Sequence, residues 1–155
     1  MMGSGKTTIG KLLAEELGVD FEDLDTSITR RYKMSISEIF SEHGESFFRE
    51  AESIALMNST GIVISCGGGT VLNKNNRRYI KKGLSFFLNV EIDELKKRLK
   101  DVSNRPLLDD ENLKQSLESL WKKREHLYLQ TADHIINVKN KRPKDITKKI
   151  SGYIK

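Results

Sequence analysis

The sequence predicts an α/β fold of three layers (αβα), in which helices cover both faces of a parallel β-sheet. Three observations predict it. Short apolar runs alternate with longer stretches of helical periodicity, a pattern typical of parallel sheets with right-handed crossovers. A glycine-rich loop opens directly into the first helix, and 155 residues suit one compact domain. We therefore expect a single domain over residues 1–155, with no repeats or linkers.

The first helix is predicted over residues 6–17. An apolar face recurs along it, formed by Ile9, Leu12, Leu13 and Leu17. Gly18 can end the helix in the left-handed conformation that favours glycine. This helix therefore begins immediately after the glycine-rich loop.

The next segment alternates strands with helices. Residues 19–24 are predicted as a short strand, Ser37 as the N-cap of a helix, and residues 45–58 as a further helix. Residues 61–66 form a continuous apolar run rich in β-branched residues, which is typical of a strand buried on both faces.

The second half of the chain repeats the alternation. Residues 101–111 interrupt it with Asp, Ser, Asn and Pro, so we expect an exposed loop there. The other predicted elements are a helix over 73–82, a strand over 84–90, helices over 92–100 and 112–131, a strand over 134–138, and a helix over 143–154 that has proline in its first turn.

Composition restricts the possible functions. The net charge of +5 would suit a nucleic-acid partner, but acidic residues are interleaved with the lysines, and a basic enzyme for phosphate substrates has the same balance. We therefore expect no nucleic-acid partner.

The single cysteine, Cys66, excludes an internal disulfide and suits a reducing compartment. No run approaches the ~20 apolar residues of a membrane span, so we expect a cytoplasmic protein without a membrane partner.

A phosphate-binding motif opens the chain. Glycines allow backbone N–H groups to surround phosphate oxygens, and the helix N-terminus adds partial positive charge. In this motif the lysine reaches the β- and γ-phosphates of a nucleotide and the next hydroxyl binds Mg²⁺. The alternative is an ordinary glycine turn before a helix, but Lys-Thr after Gly-x-Gly favours nucleotide binding. The residues concerned are Gly3, Ser4, Gly5, Lys6, Thr7 and Thr8.

The motif is incomplete at its start. Its full pattern is Gly, four residues, then Gly-Lys-Ser/Thr, so the first glycine would lie one residue before Met1. The strand that leads into the loop would lie further upstream. We expect that the chain starts late, through a misassigned start or a shortened form. Without that central strand the edges of both neighbouring strands would be exposed, and we would expect low stability or strand exchange between chains.

Two acidic residues follow the first predicted strand. Asp23 and Asp25 are two residues apart, so on an extended segment they point the same way. One carboxylate can hold Mg²⁺ through water while the other hydrogen-bonds an acceptor hydroxyl. The alternative is that Asp25 or Ser27 merely caps the next helix.

An arginine and a glycine cluster complete the candidate acceptor site. Arg49 suits two-point binding of a carboxylate, although an ion pair with Glu45 or Glu52 is the structural alternative. Gly67, Gly68 and Gly69 follow the apolar run 61–66 and permit close approach of a ligand to the backbone.

Five motifs in this order resemble the shikimate kinase family. They are Gly-Ser-Gly-Lys-Thr, Phe-x-Asp-x-Asp, Gly-Glu-x-x-Phe-Arg-x-x-Glu, the three glycines, and Arg-Pro-Leu-Leu at 105–108, and they cover most of residues 3–133. The resemblance implies a P-loop NTPase fold of strand order 2-3-1-4-5, with its first strand missing here. It also implies transfer of the γ-phosphoryl group of ATP to the 3-hydroxyl of shikimate in aromatic amino acid biosynthesis, with Mg²⁺, by a monomer.

The resemblance also implies roles for individual residues. Asp23 joins Thr7 as a metal-associated residue, and Lys6, Asp25 and Arg105 are the catalytic set, with Arg105 on a lid over about 101–111. Acceptor-binding helices cover about 27–58. The residues implied to hold shikimate are Asp25, Arg49, Gly67, Gly68, Gly69 and Arg124, and those implied to contact the nucleotide beyond the phosphate loop are Arg98, Arg105 and Pro143.

Other functions stay open at this point. A different small-molecule kinase, such as a gluconate kinase, is the nearest alternative, although two arginines for a carboxylate argue against a neutral polyol acceptor. A nucleoside monophosphate kinase fits the acid, arginine and glycine set less well. A non-catalytic protein that retains ligand affinity is the alternative from another class. For the kinase reaction we expect Asp25 to place the acceptor hydroxyl more than to deprotonate it, because bond formation to the nucleophile is slight in a loose transition state.

Overall fold

The computed structural model describes residues 1–99, 106–109 and 111–154. Helices and short parallel strands alternate along the chain, as predicted. The elements are α1 Lys6–Leu17, β1 Phe21–Asp23, α2 Leu24–Tyr32, α3 Ile36–Met57, β2 Val63–Ser65, a 3₁₀ turn Thr70–Leu72, α4 Lys74–Ile80, β3 Phe86–Asn89, α5 Ile92–Arg98, α6 Leu113–Thr131, β4 His134–Asn137 and α7 Pro143–Ile154.

The described strands form two separate parallel pairs. In the first pair, β1 lies beside β2 with Phe21 opposite Val63. In the second, β3 lies beside β4 with Phe86 opposite His134. No strand among the described residues joins the two pairs. These are the pairs that a strand order of 2-3-1-4-5 leaves on either side of its central strand.

The two pairs are held together by a shared apolar core. Ile9 and Leu13 of α1 pack with buried residues of β3, α5, α6, β4 and α7. Val63 of β2 packs against the same cluster, so α1 and this cluster connect the two pairs. A second, smaller cluster joins α2 to α3 through Ile28 and Ile39.

The helices around the acceptor residues begin differently from the prediction. Ser35, not Ser37, is the N-cap, because its hydroxyl accepts from the Glu38 amide at 3.2 Å and the Glu38 carboxylate accepts from the Ser35 amide at 2.6 Å. This reciprocal capping box satisfies two helix-end donors. Gly44 interrupts α3 with φ 82° and ψ 170°, so the helix predicted from residue 45 is the second half of α3.

Two further expectations are wrong. The run at 61–66 is not buried on both faces: Ile62 is 73% exposed and Val63 and Ile64 are half-buried. Among the described residues, β2 pairs with a strand along one edge only. Asp23 and Asp25 do not share an extended segment, because β1 ends at Asp23 and α2 begins at the next residue.

A close contact fixes α1 against β1. A Cβ atom at Gly10 would lie 2.5 Å from Cε2 of Phe21, which is closer than carbon atoms can approach without displacement. The glycine therefore allows the phosphate-loop helix to lie against the strand that ends at Asp23.

Within the described residues, no helix is both long and apolar enough to cross a membrane.

We predict that Gly10→Ala destabilises the protein. Alanine favours a helix over glycine by ~1 kcal/mol, but overpacking against Phe21 costs ~1–3 kcal/mol, so a net loss of about 1 kcal/mol is expected in urea unfolding. Gly152→Ala is the matched control, because a Cβ at Gly152 in α7 meets nothing within 4 Å, and it should be neutral or stabilising. Equal stabilisation by both changes would contradict this packing.

Candidate active site

Side chains of the phosphate loop form hydrogen bonds with the backbone of the same loop. Gly3 and Gly5 adopt φ of 72° and 89°, a left-handed conformation that other residues rarely adopt. Lys6 Nζ donates to the Met1 carbonyl at 2.8 Å, and Ser4 Oγ donates to the same carbonyl at 2.9 Å. These contacts hold the lysine across the loop at the start of α1, where the dipole favours an anion.

A hydroxyl and a carboxylate meet beside the loop. Thr7 Oγ1 donates to Asp23 Oδ2 at 2.7 Å. The other oxygen of Asp23 accepts from the Thr26 amide at 3.2 Å and so caps α2. The capping role that was the alternative for Asp25 or Ser27 thus belongs to Asp23, and the cap orients its second oxygen towards Thr7.

This oxygen pair fits Mg²⁺. The ion favours oxygen ligands and commonly takes one or two protein groups, with the rest from water and substrate phosphates. The described residues contain no group of three His, Cys, Asp or Glu side chains that could hold a metal by themselves. Thr7 and Asp23 therefore suit a metal that arrives with a nucleotide.

The predicted acceptor residues line a cavity beside the phosphate loop. Its polar lining comes from α2, α3, α6 and residues 67–69, called the glycine loop below, and its apolar lining includes Ile36, Phe40 and Phe48 of α3. The residues predicted from the sequence that line it are Asp25, Arg49, Gly67, Gly68, Gly69 and Arg124, and Met2, Glu52, Pro106 and Leu107 join them.

The two arginines of the cavity differ in their partners. Arg49 Nη1 lies 2.8 Å from Glu52 Oε2, and its Nη2 lies 3.2 Å from Glu45 Oε1, so both ion pairs considered as alternatives form. Arg124 is only 3% exposed, yet it makes no ion pair with any carboxylate in the described part of the chain. A buried guanidinium without a counter-ion is costly, so Arg124 marks a position for an anion.

Glu52 is the site residue that the sequence analysis missed. Its side chain is 1% exposed. Oε1 accepts from Thr70 Oγ1 at 2.7 Å while Oε2 accepts from Arg49, so it joins α3 to the 3₁₀ turn. The sequence spacing indicates an ion pair between Glu52 and Arg49, since they lie three residues apart on one helical face. It does not indicate that the Glu52 side chain is buried.

The environment of Asp25 changes its acidity. Burial raises the pKa of Asp25 to about 6, and the negative charges of Glu52 and Asp23 add to that rise, while Lys6 and Arg49 oppose it. A carboxyl with this pKa exchanges its proton near neutral pH, unlike an exposed aspartate.

Two of the three glycines are required by neighbouring side chains. A Cβ at Gly67 would overlap the Glu52 carboxylate, and one at Gly69 would overlap the Arg49 guanidinium. None of the three is among the glycines with positive φ, so close approach, rather than unusual backbone, explains Gly67 and Gly69. Cys66, next to them, has a pKa raised to about 12 by burial and by Glu52, so its thiol stays protonated near neutral pH and is a poor nucleophile.

Two predicted nucleotide residues, Arg98 and Pro143, are not among the residues that line this cavity. Arg98 pairs with Glu94 at 3.0 Å near the end of α5, one residue before Leu99, whose side chain packs on Gly3. Pro143 begins α7. Arg105 lies outside the described residues, together with most of the predicted lid.

We predict that Asp25→Asn stabilises the protein at pH 8 but not at pH 3.5. The folded-state pKa of about 6 lies above the ~3.9 of an unfolded aspartate, so folding favours the protonated form, and stability is lost as pH rises between these values. The difference corresponds to roughly 3 kcal/mol at pH 8, measurable by urea unfolding. The exposed Asp20→Asn is the control, and an equal gain at both pH values would contradict the burial of Asp25.

Comparison with known proteins places this site in context. A family model described as shikimate kinase matches residues 2–155. The chain is 42% identical to a shikimate kinase of Nostoc punctiforme, covering 99% of this chain and 87% of that protein. It is 43% identical to one of Thermodesulfovibrio yellowstonii, covering 96% and 88%.

Solved structures show the same fold. Shikimate kinase from Acinetobacter baumannii in complex with shikimate superposes with a TM-score of 0.94 at 36% identity, covering 99% of this chain and 88% of that one. Shikimate kinase from Aquifex aeolicus gives a TM-score of 0.84 at 31% identity, covering 99% and 92%. The predicted αβα fold of the P-loop NTPases is thereby confirmed.

Proposed function

The chain belongs to the shikimate kinase family, and we propose how its residues divide the work of that family's reaction. The enzyme transfers the γ-phosphoryl group of ATP to the 3-hydroxyl of shikimate, giving shikimate 3-phosphate and ADP. The observation that carries the assignment of residues is the position of Arg124, a buried guanidinium that lines one cavity together with Asp25 and the glycine loop.

The phosphate loop binds the triphosphate. Lys6 exchanges its contact with the Met1 carbonyl for phosphate oxygens, which bear full negative charge and bind an ammonium group more strongly. Thr7 and Asp23 are the residues that would hold Mg²⁺, and the ion would neutralise charge on the phosphates. Their contact of 2.7 Å supports this assignment, because it places two suitable oxygens next to Lys6.

The cavity binds shikimate by its carboxylate and hydroxyls. Arg124 and Arg49 hold the carboxylate, and Arg124 supplies most of the attraction because Glu45 and Glu52 already offset the charge of Arg49. The backbone of the glycine loop contacts the polar groups of the acceptor. The apolar side chains Phe40 and Phe48 cover the carbon ring.

Asp25 orients the hydroxyl that is phosphorylated. Transfer through a loose transition state requires little deprotonation of the nucleophile in advance, so placement is its first role. A pKa of about 6 also allows Asp25 to accept the proton that leaves the hydroxyl as the new bond forms. Above pH 6 the Asp25 carboxyl is mostly ionised and can fill both roles.

Several finer assignments stay predictions from the sequence. Arg105 adjoins Pro106, which lines the cavity, and an arginine over the transferring phosphoryl group accelerates such reactions by ~10³–10⁵. Arg98 and Pro143 remain the proposed contacts of the adenine. A single domain with a lid over about 101–111 and acceptor helices over about 27–58, a monomeric state and a cytoplasmic location complete the proposal.

The function is tested by coupled release of ADP. The protein is mixed with ATP, Mg²⁺ and shikimate, with gluconate as the alternative acceptor and Lys6→Ala as the inactive control. Release with shikimate is expected, and release with gluconate alone would redirect the substrate. No release with any acceptor would favour the non-catalytic binding protein.

We predict that Arg124→Ala raises the KM for shikimate by ~10–100-fold, because a hydrogen bond to a charged group contributes ~1.5–3 kcal/mol. The KM for ATP should change less than about twofold. Lys123→Ala removes an exposed positive charge from the preceding position of α6 and is the matched control. Equal effects of the two variants would contradict the carboxylate site.

A further inference from the structure

We propose that Tyr128 is a positioning residue for the acceptor, because its hydroxyl fixes the direction in which the Gly69 amide N–H points. The inference rests on the proposed function, since it concerns how the glycine loop receives shikimate. Tyr128 belongs neither to the phosphate loop nor to the residues that line the cavity. It therefore acts through the groups that its hydroxyl contacts, which are the Gly68 carbonyl and the side chain of Arg124.

The position of the Tyr128 hydroxyl is well defined. It donates to the Gly68 carbonyl at 2.6 Å. The residue is 6% exposed, and its ring stacks on Phe87 with centroids 4.9 Å apart and an angle of 10° between the planes. Packing against β3 therefore fixes the ring, and the ring fixes the hydrogen-bond donor.

The Tyr128 hydroxyl binds the Gly68 carbonyl, and this carbonyl has no hydrogen bond to a backbone amide of the described residues. The Gly67 carbonyl accepts from the Thr70 amide at 3.2 Å, and the Gly69 carbonyl accepts from the Leu72 amide at 2.9 Å. The Gly68 carbonyl accepts from no backbone amide of the described residues. Consecutive glycines have wide conformational freedom, so without Tyr128 this peptide unit would be free to rotate.

Fixing the carbonyl also fixes the next amide. In a planar trans peptide the C=O of Gly68 and the N–H of Gly69 point in opposite directions, and the described chain has no cis peptide bond. The Gly69 N–H therefore points away from Tyr128. It meets no hydrogen-bond acceptor within the ranges that the structure describes, and Gly69 lines the cavity, so this donor is available to an oxygen of the acceptor.

One helix thus sets two parts of the acceptor site. Tyr128 lies one turn after Arg124 on α6, so both project from the same face. Arg124 Nη1 would lie 3.6 Å from a Cβ at Gly68, which places the guanidinium beside the peptide that Tyr128 anchors. The guanidinium of Arg124, which binds the acceptor's carboxylate, and the N–H of Gly69 therefore keep a fixed distance from each other.

The test is Tyr128→Phe, which keeps the ring and removes only the hydroxyl. The expected result is a KM for shikimate raised ~3–10-fold, the effect of one neutral hydrogen bond, with the KM for ATP unchanged. Tyr79→Phe is the control, because the Tyr79 hydroxyl lies 3.5 Å from the Met57 carbonyl, away from the cavity. An unchanged KM for shikimate, or an equal rise for both substrates, would overturn the proposal.

A second measurement uses the unaltered protein. With glycine labelled by ¹⁵N, the Gly69 amide resonance should shift when shikimate is added, and an unmoved resonance would overturn the proposal even if Tyr128→Phe failed to fold. The two hypotheses fail differently. If the unaltered protein does not phosphorylate shikimate, the proposed function is wrong, whereas normal activity with a silent Tyr128→Phe variant refutes this inference alone.

Discussion

The geometry of the acceptor site depends on one buried carboxylate, that of Glu52. It accepts hydrogen bonds from Arg49 and from Thr70, and it fills the space that Gly67 leaves open. Its negative charge also raises the pKa of Asp25. A buried carboxylate is stable only when its oxygens are paired. The desolvation of Glu52 thus requires the arginine, the hydroxyl and the glycine to occupy these positions together.

Much of the site could be predicted because its chemistry is local in the sequence. The phosphate loop is contiguous, and Arg49 and the three glycines each belong to a short local motif, whereas Arg124 was placed only by the resemblance to shikimate kinases. Asp25 was also predicted to line the site, but for a partly wrong reason, since it lies in the first turn of α2 and not on a strand. Its pKa is raised first by burial and then by Glu52, which is distant in sequence, and no local pattern indicates either.

The fold was predicted in the order of its elements but not in the extent of its sheet. Helical periodicity located α1, α6 and α7 to within a few residues, because an apolar face repeats along their length. The burial of β2 could not be predicted in this way, since it depends on which strands lie beside it. The contact of Tyr128 could not be predicted for a similar reason: its partner, Gly68, is brought close only by the packing of α6 against the 3₁₀ turn.

The charge of Arg124 has no carboxylate partner among the described residues, and this has a consequence for any solution of this enzyme. A buried cation without a counter-ion attracts whatever small anion the solvent supplies, and Lys6 strengthens that attraction over short distances. Sulfate, citrate or chloride in a buffer would then occupy the proposed carboxylate position and compete with the acceptor. The affinity measured for shikimate is therefore a property of the enzyme together with its counter-ions, and comparisons between preparations require the same salt.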